Sequence, residues 1–354
     1  MVTKPFVPGE RSIITRTPVR VTYAGGGTDI PTWYRNHGWG AVVNAAANRY
    51  VYVDVDNRFD TKIFAPYHDK EHDRSSVELV ESVGELRNPV VREGLKSLGI
   101  PGCLQVHSKS KIPTLGTGLG GSSSFTVGFL NAAHAWMGEM RSSEELAEEA
   151  YDLERNKVGD SCGKQDQYAA AFGGINYFEF HANEKVVPEK IIMPDEDFTA
   201  FQAHHLILYM EGHRRASGIL RKQEDEMEEH VGEYDKMRKL AREHRDLLRD
   251  RAWQRTGDIL AANWDLKRVL SNGITNPDVD AIYRKGIEEG AEGGKLMGAG
   301  SVGFMLFFAD PKRHNAIANA TGLRRIDMRI GVEGSKIVYT GPPEPSGITI
   351  PVEA

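Results

Sequence analysis

Glycines at 116, 118, 120 and 121 fall within a stretch of six residues, and Ser122, Ser123 and Ser124 follow directly, opening a pattern of helical period. Residues without a Cβ let backbone N–H groups close around an anion, and a helix start adds unpaired donors and a partial positive charge. Hydroxyls at that start either cap the helix or reach a phosphate or a metal ion. Four glycines exceed what a tight turn with an ordinary serine cap needs, so Ile112–Ser124 is read as a phosphate-binding loop. Gly116, Gly118 and Gly121 also fit the spacing GxGxxG, but a dinucleotide unit needs a strand ending in an acidic residue about 20 positions on. In its place this chain has Ser142 and Glu145, the pattern of a helix capping box. The loop also lacks the Gly-Lys-Ser/Thr ending of a Walker A motif.

The chain around this loop has 354 residues, 40% of them hydrophobic, enough for two domains or one large one. With 44 basic against 50 acidic residues, its net charge of -6 creates no global field favouring nucleic acid, so phosphate recognition must be local. Cys103 and Cys162 are the only cysteines and sit in no CxxC or Cys/His ligand spacing, which argues against a disulfide scaffold or a structural zinc site. The opening residues lack the apolar stretch of a signal peptide, and no segment approaches about 18 uninterrupted apolar residues. A soluble, cytoplasmic protein without a membrane partner is expected. A homo-oligomer is left open.

Along the chain, 17–23, 50–55 and 103–107 read as strands. Apolar residues Phe125, Phe129, Ala132, Ala133 and Trp136 give a helix from Ser122 to Met137, and a second helix opens at the Ser142 box. After a turn at Gly159–Gly163, a short helix from Gln165 to Phe172 stops at Gly173-Gly174. The polar run 181–190 is the expected domain joint. Residues 216–250 read as one long charged helix with a sparse stripe of Leu220, Met227, Val231 and Leu240. Helices are expected at 256–270 and 278–291, then a glycine-rich loop over 293–300 and a strand from Val302 to Phe308.

Three segments together resemble the GHMP kinases. Arg16–Val21 followed by Ala24-Gly25-Gly26-Gly27-Thr28-Asp29 is similar to the entry strand and sugar-binding turn of the family's sugar kinases. The loop at 112–124 resembles its second motif, and Lys295–Phe304 its third. With Gly163-Lys164-Gln165-Asp166-Gln167-Tyr168, the set looks most like the subfamily of D-glycero-D-manno-heptose 7-phosphate kinases. Departures are Gly121 in place of the first serine, Ser301-Val302 in place of two glycines, and Met210-Glu211 where Thr-Gly is usual.

The resemblance implies an α+β fold of two domains. The first (1–190) would bind ATP and the second (191–354) would be ferredoxin-like, with the active site between them. It implies transfer of the γ-phosphoryl group of ATP to the anomeric hydroxyl of the heptose 7-phosphate, with magnesium. The alternatives are an anomeric kinase of an unphosphorylated sugar such as galactose or L-fucose, and a non-catalytic sensor of ATP and sugar. Pro113, Gly116, Gly118, Leu119, Gly120, Gly121, Ser122 and Ser123 would hold the nucleotide, and Ser122 and Glu154 the magnesium. Asp166 would take or orient the hydroxyl proton, and Arg20 would stabilise the phosphoryl group. Gly27, Thr28, Asp29, Asp166, Gly298, Ala299 and Gly300 would line the sugar site, with Arg214 or Arg215 gripping its phosphate. From the residues alone, Glu154 reads first as an exposed helix acid paired with Arg155 or Lys157, Asp166 equally as an acid at a helix start, and Arg20 and Asp29 also as a surface strand residue and a turn cap. His68 and His72 flank two acids at metal-like spacing but have no third ligand near, and read as an exposed loop. His204-His205 opens an apolar strand.

Overall fold

The computed structural model describes residues 11–69, 74–110, 118–211, 216–298, 300 and 302–341. Its strands are β1 (Ser12–Ala24), β2 (Trp39–Asn57), β3 (Ile63–Asp69), β4 (Arg74–Val80), β5 (Leu104–Ser110), β6 (Ile175–His181), β7 (Val186–Lys190), β8 (His205–Met210), β9 (Ala291–Leu296), β10 (Gly303–Ala309), β11 (Arg324–Arg325) and β12 (Lys336–Gly341). The first sheet runs β12-β1-β2-β5-β3-β4, with β6 on the other half of β2 and β7 beyond it. The length of β2 makes this branching work: residues 39–45 pair with β6 and residues 51–57 with β5.

One face of this sheet packs Val42, Val51, Val53 and Val55 against helices Gly121–Met137 and Gln165–Phe172 through Val127, Leu130 and Ala170. The other face presents Val19, Val21, Ala41, Val43 and Ala45 to the second half of the chain, where Ala241, Leu260, Phe304 and Leu306 meet them. Period-2 alternation thus gives β1 and β2 two apolar faces.

The second sheet is antiparallel, ordered β11-β8-β10-β9. Helices lie between β8 and β9 and between β10 and β11. That chain order, with the fourth strand beside the first and the second at the far edge, is the ferredoxin-like arrangement the sequence led us to expect. Every residue of β10 is buried. Phe307 stacks near Tyr283 of helix Pro277–Glu288, while Phe308 lies near Phe201 of helix Asp195–Ala203. A strand covered on both faces accounts for the unbroken apolar run there.

Four expectations change. The segment 181–190 is no loose joint but the turn and return strand of the β6–β7 hairpin, paired within the first sheet. Residues 216–250 break into helices Ala216–Asp225 and Val231–Arg249 because Met227 is drawn into the core in a tight turn. The second helix buries Tyr234, Met237, Ala241, His244 and Leu248 rather than the sparse stripe read from sequence. Gly293 and Gly294 lie inside β9, where a Cβ on Gly293 would come within 1.9 Å of the Gly257 carbonyl oxygen. The pair is therefore a packing surface for helix Thr256–Lys267, and the loop begins only after Leu296. Finally, 191–354 is not one continuous unit, since Lys336–Gly341 pairs with β1 in the first sheet.

Candidate active site

β1 ends at Ala24, and Gly25–Asp29 turn the chain into helix Pro31–His37. Thr28, expected against the sugar, is fully buried and braces this turn from behind. Its hydroxyl lies 2.8 Å from the Gly25 carbonyl oxygen and 2.9 Å from that of Ala41, and accepts the Ala41 N–H at 3.0 Å. Asp29 is 2% exposed, with both oxygens engaged within the protein. One accepts the Gly27 N–H at 2.9 Å and the Gln165 side chain at 3.2 Å; the other accepts the Gln165 backbone N–H at 3.1 Å. Burial lifts its carboxyl to about 6 against the pull of those donors. Asp29 therefore caps helix Gln165–Phe172 from across the chain and fixes the residue that follows Gln165. Gly27 lies against the Tyr234 ring of the second half.

The run Gly163–Tyr168 sends successive side chains to different partners. Lys164 is buried on Glu148 at 2.9 Å, and Gln165 accepts from Thr22 at 3.0 Å as well as donating to Asp29. Gln167 and Tyr168 donate short hydrogen bonds to Glu154 and Glu148. Asp166 meets Arg20 in a two-pronged pair: Nε to Oδ1 at 2.7 Å and Nη2 to Oδ2 at 2.9 Å. The Arg20 side chain is 7% exposed and that of Asp166 25%, so the carboxylate edge remains open to a ligand. A Cβ on Gly120 would sit 3.2 Å from the Asp166 carboxylate and 3.3 Å from Arg20 Cγ, so the pair lies directly under the glycine loop.

Of that loop, Pro113 and Gly116 lie outside the described residues. Leu119 is buried, and its carbonyl accepts from the Arg20 N–H at 2.9 Å. Gly120, beside the Arg20–Asp166 pair, precedes helix Gly121–Met137 with a left-handed backbone, and the first N–H groups of that helix have no intrahelical partner. Ser122, expected beside Glu154, is exposed. The hydroxyl on Glu154 belongs instead to Ser123, at 2.8 Å, joined by that of Thr126 at 2.6 Å. Glu154 sits on a wide π-helical turn, Leu153–Val158, that carries it inward to 3% exposure. Burial raises its carboxyl to about 7, and every side chain bonded to it is a neutral donor. A buried carboxylate whose side-chain partners among the described residues are all neutral, and which adjoins a phosphate loop, fits a divalent ion that takes one or two protein oxygens and leaves the rest to phosphate and water.

The third glycine segment closes the site from the second sheet. Gly298 abuts Gly118 so closely that a Cβ on Gly298 would lie 2.1 Å from Gly118 Cα, and one on Gly118 2.3 Å from the Met297 carbonyl oxygen. Both glycines also have positive φ, 81° at Gly118 and 74° at Gly298. Gly298→Ala should therefore lose roughly 1–3 kcal/mol of stability, the range for overpacking; denaturant unfolding at wild-type midpoint would contradict this contact. Gly300 faces the backbone of Ile274. Ala299, Arg214, Arg215 and His72 lie outside the described residues, and His68 is on β3 rather than in a loop. His205 packs as a core residue, bonded to the Tyr23 hydroxyl at 2.8 Å.

Helix Thr256–Lys267 adds two groups the sequence did not single out. Asn263 Oδ1 accepts the Gly25 N–H at 3.0 Å, and Lys267 Nζ donates to the Gly298 carbonyl. Both lie on its buried stripe of Thr256, Leu260, Asn263 and Lys267. Polar residues at stripe positions were the available signal.

The arrangement unites a helix-start phosphate loop, a carboxylate suited to a cation and an Asp–Arg pair beside a turn, which are the parts phosphoryl transfer requires. The chain belongs to the GHMP kinase family: residues 85–174 match the GHMP kinases N terminal domain, and residues 232–321 the GHMP kinases C terminal. It is an ATP-dependent sugar kinase. A Campylobacter jejuni D-glycero-alpha-D-manno-heptose 7-phosphate kinase is 31% identical over 318 residues, 87% of this chain and 92% of that protein. An L-fucokinase/L-fucose-1-P guanylyltransferase of Bacteroides fragilis is 26% identical over 84% of this chain but only 34% of its own length. A D-glycero-D-manno-heptose 1-phosphate kinase from Bacteroides thetaiotaomicron shares the fold with a TM-score of 0.75 at 23% identity, covering 94% of this chain and all of that one. Among the described residues, no helix is long and apolar enough to cross a membrane.

Proposed function

We propose that this kinase phosphorylates the anomeric hydroxyl of D-glycero-D-manno-heptose 7-phosphate, giving the 1,7-bisphosphate. The observation that carries the reading is the Arg20–Asp166 pair lodged between Gly120 of the phosphate loop and the Asp29-braced turn. The hydroxyl oxygen forms a bond to the γ-phosphorus while the bond to the β–γ bridging oxygen breaks, leaving ADP. The hydroxyl proton passes to the open Asp166 carboxylate. Arg20 holds that carboxylate in place and puts positive charge beside the group in transfer. The loop and the helix start behind it receive the triphosphate. Magnesium would be held by Glu154 and Ser123, and when bound it neutralises phosphate charge. The heptose assignment is supported by the similarity to the Campylobacter jejuni relative. The resemblance to an L-fucokinase supports the second reading, an unphosphorylated sugar.

The two readings differ in the need for a phosphate anchor, assigned here to Arg214, with Arg215 second. An arginine fork ahead of helix Ala216–Asp225 suits phosphate oxygens. Arg214→Ala should lose roughly 1.5–3 kcal/mol of substrate binding and narrow the preference for phosphorylated sugar. ADP release measured across sugars and sugar phosphates, with NMR of the product, tests both points. Equal activity on the unphosphorylated sugar would replace the heptose 7-phosphate reading with the simple-sugar one.

A further inference from the structure

Two lysines of the second sheet and its helices are buried where they meet the first: Lys267 is 9% exposed and Lys295 3%. Among the described residues the partner of each ammonium is a backbone carbonyl, that of Gly298 for Lys267 and that of Tyr23, at 3.4 Å, for Lys295. The nearby carboxylates are already committed. Asp166 has both oxygens on Arg20, and those of Asp29 hold Gly27 and Gln165. Burial, then the charge of Arg20, press Lys267 down to about 8, while Asp166 and Asp29 oppose them. Lys295 is pushed well below its ordinary value by burial, then by Lys267 and Arg20.

A desolvated cation without a counter-ion is costly to keep, by several kcal/mol, and an ammonium has three donors to place. The location is specific as well. Gly298, whose carbonyl Lys267 holds, abuts Gly118, whose carbonyl takes a short hydrogen bond from Arg20 Nη1. Lys267, from helix Thr256–Lys267, and Arg20, from β1, thus reach one glycine junction at the edge of the phosphate loop. An anion arriving there would meet an unbalanced positive field in a low-dielectric wall, where such a field acts most strongly.

We propose that Lys267 is a catalytic residue that turns from the Gly298 carbonyl onto the γ-phosphoryl oxygens of bound ATP, opposite Arg20, and neutralises the group during transfer. This rests on the reading of the cleft as the transfer site, but not on which sugar is the acceptor. Calorimetric titration of the full-length enzyme with the magnesium complexes of AMP-PNP and ADP separates the γ-phosphate from the rest of the nucleotide. Lys267→Met should weaken AMP-PNP by roughly 10- to 100-fold, the scale of a lost charged hydrogen bond, and leave ADP within about threefold. Lys267→Arg should restore part of the difference, and with an accepted sugar the Met variant should lose kcat rather than raise the sugar KM. Equal loss for both nucleotides, or none, overturns the proposal.

If the Met variant does not fold, wild-type enzyme gives the answer. Its preference for AMP-PNP over ADP should decline as pH rises through about 8, where Lys267 gives up its proton. Of the groups facing Lys267, which are Arg20, Asp166, Asp29 and Lys295, Asp29 titrates below that range at about 6, and loss of charge at Lys295 adds to the decline. A flat preference from pH 7.5 to about 9.5, well to the alkaline side of that value, overturns the assignment. Failure of every sugar to accept phosphate would count against the proposed function while the nucleotide titrations still judged Lys267.

Discussion

Asp166→Asn should lower kcat by roughly 10²–10⁴, the range for a lost acid–base group, with nucleotide affinity nearly unchanged. An amide cannot take the hydroxyl proton, and its NH2 would face a guanidinium that in the wild type donates two hydrogen bonds to the carboxylate oxygens. Arg20 itself remains, tied to the carbonyl of Gly118 and, through its own N–H, to that of Leu119, so the loop keeps its shape. Because the amide oxygen can still accept from Arg20 Nε, and the Asp166 side chain is a quarter exposed so that its NH2 can turn to water, the variant should stay folded. Steady-state kinetics alongside a thermal melt separate the two effects. Turnover within a few-fold of wild type, in a folded variant, would remove Asp166 from the reaction.

Glu154→Gln should abolish most magnesium-dependent turnover and yet make the ligand-free protein more stable above neutral pH. The Glu154 carboxyl lies near 7 in the folded chain, against an ordinary value of 4.5. The folded state thus holds its proton more firmly than the unfolded state. By linkage, this group favours folding at low pH, and that contribution fades as pH rises from about 4.5 to about 7. Above 7 the buried carboxylate is charged at a cost on the order of a few kcal/mol, since each tenfold change in proton affinity is worth about 1.4 kcal/mol. Glutamine removes that charge; its one carbonyl oxygen can keep the bonds from Ser123 and Gln167, and its NH2 can donate to the Thr126 hydroxyl. Melts of the metal-free proteins at pH 5 and pH 8.5, near the foot of that window and above it, should show the variant gaining on wild type chiefly at the higher pH. The same gain at both would break the account. Ser123→Ala should raise the magnesium requirement more than Ser122→Ala, which tests the serine that faces Glu154.

The parts of this site legible in the sequence were those with local signatures. The glycine loop announced its helix, and the capping box at Ser142 is present as written, with Glu145 bonded back to the Ser142 N–H at 2.8 Å. Arg20, Glu154 and Asp166 do converge on the loop, although 166 − 20 = 146 residues separate the first from the last. What the sequence hid depends on helix phase and on long-range packing. In a run of three serines each residue turns the helix by about 100°, so only the packed structure shows that Ser123 rather than Ser122 looks at Glu154. Lys267, in the last turn of its helix, reads as an ordinary complement to the helix dipole, yet the packed helix leaves it only 9% exposed. The family resemblance makes Asp29 a sugar ligand, whereas Gly27 and the helix start at Gln165, 136 residues on, claim its oxygens.

The return of Lys336–Gly341 to β1 bears on how this enzyme can be recombined with its relatives. Chimeras that exchange everything beyond the β6–β7 hairpin would import a foreign edge strand along with the second sheet. That strand must match β1 from Ser12–Gly341 to Arg16–Lys336, across a register shift between Ile14 and Thr15. Ser335, just ahead of it, also shares a hydrogen bond of 2.8 Å with the Thr17 hydroxyl and receives one from Asn131 at 3.0 Å. A graft that stops short of Ser335 and keeps the native terminal strand would preserve this stitch. One that runs to the end would leave the edge of β1 mispaired, an exposed template for association with other chains.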